Sequence, residues 1–147
     1  RLFRKYNAPL YSLLCEMMDR RGIPVVAHMD GSLLPLRDEI AASPLCGLES
    51  FTPTPDNDTS VAEAVSLWPD KRLLVNFPSS VHLASEEIIY REAADILRQG
   101  GSTGRLWIQI SENMPPEAWI LSSATAVMSC SRIPTFIMPL QPKWRVC

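Results

Sequence analysis

The stretch IPVVAHMDG, residues 23–31, decides the reading of the fold. Pro24 to Met29 is short, β-branched and apolar, bounded by a proline on one side and by Asp30-Gly31 on the other. That is the pattern of a strand buried within a parallel sheet. Upstream of it, residues 6 to 21 place Leu10, Leu13, Leu14, Met17 and Met18 at helical spacing, and Gly22 supplies a C-terminal stop. Downstream, a helix is expected around Leu33 to Ala42.

The same alternation recurs three more times. Strands are expected near Gly47 to Phe51, Arg72 to Phe77 and Arg105 to Ser111. Between them fall a short helix from Ser60 to Trp68, closed by Pro69, and a longer one from Glu86 to Gln99. Ser85 is the expected N-cap of the latter, Glu86 and Glu87 suit the positive end of its dipole, and Gly100-Gly101 ends it. Pro115-Pro116-Glu117 opens a last helix. The strand–helix region thus runs over residues 1–130, and the proline-broken remainder, 131–147, reads as an irregular tail. Strands alternating with helices pair in parallel through right-handed crossovers, so the expected class is α/β, either a barrel or a doubly wound sheet.

Composition sets the outer bounds. With 147 residues, 46% hydrophobic and 20% charged, the chain has the make-up of a folded domain with a core. No apolar run reaches the roughly 18 residues that a bilayer-crossing helix needs, so no membrane partner is expected. The net charge of −2, with Lys and Arg scattered, lacks the concentrated positive surface that nucleic acid requires. Cys15, Cys46, Cys130 and Cys147 show no C-x-x-C spacing, which suits a reducing, cytoplasmic setting. In that setting Asn57-Asp58-Thr59 reads as a polar loop rather than a glycan site. The opening Arg1-Leu2-Phe3-Arg4-Lys5 has no apolar signal region and reads as a cut edge. Met17, Met18, Trp68, Trp107 and Trp119 read as packing, and Asp19, Arg20 and Arg21 as a solvated face.

In parallel α/β folds every strand ends on the same face, where ligands bind. Taken in order, the strand ends offer His28 and Asp30, then Glu49, then Asn76 with Ser79, Ser80 and His82 in the following loop, then Glu112 and Asn113. His28 and Asp30, two apart, share a side of a strand, and Glu112 shares one with Ile108 and Ile110. Carboxylates converging on an imidazole bind a metal, hold a hydroxylated or cationic substrate, or exchange protons. The expected roles are catalytic for Glu49 and Glu112, substrate-binding for Asn76, Ser79 and His82, and metal-ligating for His28, Asp30 and Glu112. These hard donors admit a divalent metal, zinc or a harder ion, and equally no metal.

The segments PVVAHMDGSLLPL, GLESFTPTP and GRLWIQISENMPPEAW, in this order and spacing, resemble the C-terminal half of the uroporphyrinogen decarboxylase superfamily, which includes cobalamin- or corrinoid-dependent methyltransferases. The resemblance covers about residues 6 to 125. It implies a (β/α)8 TIM barrel, a fold of about 250 residues, of which this chain supplies the last four units. It also implies metal-assisted methyl transfer or decarboxylation of a tetrapyrrole-type substrate, with a corrinoid protein as the partner in the first case. Departures from the pattern are specific. Where zinc-dependent members resemble H-x-C-G, this chain has His28-Met29-Asp30-Gly31, and the later cysteine position falls at Glu112. The decarboxylases' G-H-G is replaced by Ser111-Glu112-Asn113. From a different class, a self-contained flavodoxin-like binding module fits the length but lacks a glycine-rich phosphate loop. Half a barrel leaves two open parallel edges, so a third expectation is that the isolated fragment is inactive, its edges inviting aggregation or pairing into a homodimer.

Overall fold

The computed structural model describes residues 2–110. Four strands form one parallel sheet in the order β1-β2-β3-β4: Val26–His28, Gly47–Phe51, Arg72–Phe77 and Leu106–Ile110. Helices alternate with them: α1 (Ala8–Asp19), α2 (Arg37–Ala41), α3 (Val61–Leu67) and α4 (Glu86–Gly100). A π-helical turn, Phe3–Asn7, leads into α1, and a 3-10 turn over Leu34–Leu36 takes the place of the first part of the helix expected from Leu33. Ser111, Glu112, Asn113, the helix opening at Pro115 and the tail from 131 lie outside the described residues.

Among the described residues each strand pairs with the next and the order does not reverse. A flavodoxin-like sheet reverses its strand order at the switch point; the four described strands contain no such reversal. Among the described residues no helix is long and apolar enough to cross a membrane.

Alternation along the strands sorts the two sheet faces. Leu73, Val75 and Phe77 of β3 are in register with Leu106, Ile108 and Ile110 of β4. They share one cluster with Leu48 and Phe51 of β2 and with Ile40, Ala64, Ile89, Ala93 and Ile96 from the helices. The helix layer therefore packs on a single face of the sheet. The intervening positions, Glu49, Leu74, Asn76, Trp107 and Gln109, point to the other face, which no described helix covers.

Local chemistry explains the helix ends. Ser60 and Glu63 form a reciprocal capping box, the Ser60 hydroxyl accepting from the Glu63 amide at 3.2 Å while the Glu63 carboxylate accepts from the Ser60 amide at 2.8 Å. Ser85 stands at the N-cap of α4 with an extended backbone but makes no side-chain cap bond there. Trp68 is fully buried as expected, edge-on to Phe51 at 6.2 Å, with its indole N–H donating to the Arg37 carbonyl. Met17 and Trp107 are not packed as expected: both are more than a third exposed. The helix α1 turns Tyr11 and Cys15 inward and leaves Leu10, Leu13 and Met17 outside, so its apolar periodicity marks an uncovered face as well as a core face.

The sheet end opposite the strand C-termini is locked by two cations, Lys71 buried and Arg105 half-buried. Lys71 Nζ donates to the Ser43 carbonyl at 2.8 Å and to Asp70 at 2.7 Å, and the Arg105 guanidinium donates to the Trp68 and Lys71 carbonyls. Gly47 lies so close to β3 that a Cβ placed there would meet the Arg72 carbonyl oxygen at 2.5 Å.

Candidate functional site

One polar side chain from each strand meets on the uncovered face. His28 ends β1, and its Nδ1 lies 2.6 Å from Glu49 Oε2 on β2. The other Glu49 oxygen accepts from the Gln109 amide of β4 at 2.7 Å. That same amide nitrogen donates to Asn76 Oδ1 of β3, again at 2.7 Å. Asn76 in turn donates to the Ser50 hydroxyl at 2.8 Å and to Thr52 Oγ1 at 3.2 Å. The result is a continuous chain, His28–Glu49–Gln109–Asn76–Ser50, running across all four strands.

A backbone irregularity makes it possible for β2 to contribute twice. Ser50 has φ of 60°, in the left-handed region that non-glycine residues seldom occupy. The register slips there, from Leu48 opposite Leu73 to Phe51 opposite Val75. An extra residue of this kind is a β-bulge, and it turns Glu49 and Ser50 to the same face while Leu48 and Phe51 stay in the core. Strain of this sort, costing about 1–3 kcal/mol, persists where surrounding contacts over-determine it.

The electrostatics follow from the bonding. A carboxylate only accepts, so Glu49 assigns the proton to His28 Nδ1 and leaves Nε2 as the outward-facing nitrogen of a side chain that is 61% exposed. The Gln109 amide, with further help from His28, holds the Glu49 carboxyl below its ordinary range even though partial burial pushes it up. Both Glu49 oxygens are thus committed, one to aiming the imidazole and one to Gln109. Oriented by a carboxylate, an imidazole offers Nε2 for proton exchange or as a metal ligand.

The rim around this chain is stapled by two aspartates of the loop after β2. Asp56 accepts from the Ser79 hydroxyl at 3.1 Å, from the Ser80 amide at 3.3 Å and from the Ser80 hydroxyl. Burial pushes the Asp56 carboxyl up, but these donors outweigh it and hold it below the usual range. Asp58 accepts from the Leu33 and Leu34 amides and from Thr59, tying the first loop to the second.

The expected site residues therefore separate. His28, Glu49 and Asn76 come together. Asp30 is exposed in the loop behind β1 and bonds to neither His28 nor Glu49. Ser79 belongs to the Asp56 staple. His82 is buried, its ring 5.0 Å from that of Phe77 on the helix side, rather than in a solvated loop; burial lowers its pKa. Glu112 lies outside the described residues. Among those residues no three His, Cys, Asp or Glu side chains gather at one point as a metal site. A cleft of about 470 Å³ lined by Cys15, Ile23, Val25 and Cys46 sits near the opposite sheet end.

Sequence reasoning missed Gln109 and Ser50. The signal for Gln109 was its parity: in LWIQI, positions 106, 108 and 110 are the core set, which turns Trp107 and Gln109 to the other face. Nothing in the sequence marks Ser50 as left-handed. In comparisons with family models, characterised proteins and solved structures, no match to the chain was found.

Proposed function

We propose that the chain is four strand–helix units of a (β/α)8 barrel enzyme of the uroporphyrinogen decarboxylase type, acting in the cytoplasm. The observation that carries the reading is the hydrogen-bonded chain from His28 to Asn76, with one member from each of four consecutive parallel strands on the sheet face away from the helices. In a barrel that face is the interior, and strand ends there are where chemistry is built. The reaction class we assign is decarboxylation of a carboxylate-bearing, tetrapyrrole-type substrate. Loss of carbon dioxide leaves a carbon that must take up a proton; His28 delivers it from Nε2 in its imidazolium form, while Nδ1–H stays on Glu49, and the ring returns to the neutral Nδ1-H tautomer. Glu49 is a positioning residue that fixes the ring's orientation and tautomer; with the Gln109 amide hydrogens committed to Glu49 and Asn76, its carbonyl oxygen is the acceptor offered to substrate pyrrole N–H groups.

Methyl transfer, with a corrinoid protein as partner, would need a divalent ion held by donors beyond His28 and Asp30.

The test is incubation of the chain with a uroporphyrinogen-type substrate under reducing conditions, with products separated by chromatography after oxidation. Stepwise loss of carboxyl groups is expected, falling at least about 10²-fold in His28→Gln, the range for removal of a general acid. No product from the unaltered chain, or full turnover in His28→Gln, would overturn the assignment.

A further inference from the structure

Two clefts run together along one side of α1. The first, of about 470 Å³, is lined by Cys15, Glu16 and Asp19 of the helix and by Cys46 at the entry to β2. The second, of about 390 Å³, lies toward the start of the helix, and both reach Ser12 and Pro44. The helix therefore stands off from the α2–β2 segment along a groove, and it is held by partly buried contacts, since none of its residues is fully buried. At one end the Arg4–Glu39 ion pair, 2.6 Å long, joins the two walls. At the other end the two cysteines line the same cleft.

Backbone geometry turns both thiols into that groove. The Cys46 amide donates to the Val25 carbonyl at 2.7 Å and its carbonyl accepts from the Arg72 amide at 2.9 Å, so the ladder of the sheet already includes Cys46. Leu48 faces the helix layer, and Cys46, two positions earlier, faces the same way. Cys15 belongs to the side of α1 that packs toward the core. Both residues are in the thiol form, Cys46 buried and Cys15 half-buried. One thiol is thus fixed to the sheet, and the other rides on a helix that the sheet holds less firmly.

We infer that Cys15 and Cys46 form a reversible dithiol–disulfide latch whose oxidant is a small disulfide, and that closing it draws the far end of α1 onto β2. Exposure sets the order of the steps. The thiolate of Cys15, the more accessible of the two, attacks one sulfur of the small disulfide. That S–S bond breaks, a mixed disulfide forms on Cys15, and one small thiolate leaves and takes up the proton that Cys15 gave up. The thiolate of Cys46 then attacks the Cys15 sulfur and expels the second small thiol. Two protein thiols are oxidised and one small disulfide is reduced to two thiols, so the exchange balances without a further oxidant. Glu16 and Asp19 beside the cleft favour a disulfide that carries cationic groups over an acidic one. In a reducing setting such a bond forms transiently, as a sensor does, rather than as a permanent cross-link.

The test is incubation of the reduced full chain with cystamine, a small disulfide with two ammonium groups, followed by digestion without reduction and peptide mapping by mass spectrometry. A Cys15–Cys46-linked peptide pair is expected as the main product at these two positions, reversed by dithiothreitol. It should form at least about tenfold faster at low salt than with the same concentration of the acidic glutathione disulfide. Cys46→Ser should stop at one mixed disulfide, on Cys15. Hydrogen exchange of the α1 amides should slow in the linked chain. Mixed disulfides on both residues with no bond between them overturn the inference, and so does a bond from either one to Cys130 or Cys147. A linked chain whose α1 amides exchange as before overturns the latch, and equal rates with the two disulfides overturn the part assigned to Glu16 and Asp19.

Discussion

Replacing Glu49 by Gln removes one charge and almost no volume, and the structure says what that should cost. In the native chain one oxygen accepts from His28 Nδ1 at 2.6 Å and the other from Gln109 at 2.7 Å. A glutamine at 49 keeps a single acceptor oxygen, so its amide group either opposes the Gln109 amide, donor against donor, or faces the imidazole, which must then give up its Nδ1 proton. Hydrogen bonds to charged groups contribute about 1.5–3 kcal/mol, and the partial exposure of this carboxylate places the loss near the lower end, about 1–2 kcal/mol. The sign of the pH dependence is fixed by the direction of the shift. Glu49 titrates below its ordinary range in the folded chain, so its contribution is complete above the unfolded-state pKa and is lost as the pH falls through the folded one. Urea unfolding of the native and Glu49→Gln chains should therefore differ by about 1–2 kcal/mol at pH 7 and converge as the pH falls through the lowered folded-state pKa, below which the native carboxyl is protonated as well. A difference that stayed constant over this range would refute the argument that the carboxylate charge, rather than the shape of the side chain, holds the four strands' polar groups together.

Gly47→Ala should destabilise the sheet by about 1–3 kcal/mol in the same assay, because the new methyl meets backbone rather than a flexible side chain; an unchanged midpoint would mean that β2 and β3 are not so closely apposed. Asp56→Asn should speed amide exchange at Ser80 and Val81, since the carboxylate organises the turn after β3; equal protection in both chains would show that the turn holds itself. Glu92 titrates above its ordinary range because burial and then Asp95 disfavour its charge. Its ionisation therefore opposes folding as the pH rises, so Glu92→Gln should raise the melting temperature at neutral pH but not at acid pH. A gain of equal size at both would refute the electrostatic account.

Much of the fold was legible because its strands announce themselves. Pro24 and Asp30-Gly31 bracket the first, and β2 and β3 fall at the bounds read from Gly47 to Phe51 and Arg72 to Phe77. Short apolar runs between turn-forming residues leave little freedom in their assignment. Burial was less legible. Leu10, Leu13 and Met17 sit at helical spacing, and spacing alone does not say which of two apolar faces meets the sheet.

The candidate site was half legible for a similar reason. His28 and Glu49 stood out because charged or titratable groups are costly among apolar strand residues without partners, and each turns out to be the other's partner. Gln109 is neutral, raised no such question, and yet joins Glu49 to Asn76. His82 drew notice as a polar residue after Pro78, but the chain there folds back as a 3-10 turn and carries the ring under Phe77. Lys71, fully buried near the other end of the sheet, had no sequence mark to separate it from a surface lysine.

The central claim is that Glu49 fixes His28 with Nε2 facing outward across the uncovered sheet. Because the chain has only two histidines, long-range proton–nitrogen correlation on uniformly labelled protein at about pH 8.5, where an ordinary imidazole is neutral, reads the tautomer directly. The account predicts His28 with its proton on Nδ1 in the native chain and a loss of that preference in Glu49→Gln, with His82 unchanged in both. A His28 protonated on Nε2 in the native chain, as in a free imidazole, would contradict it.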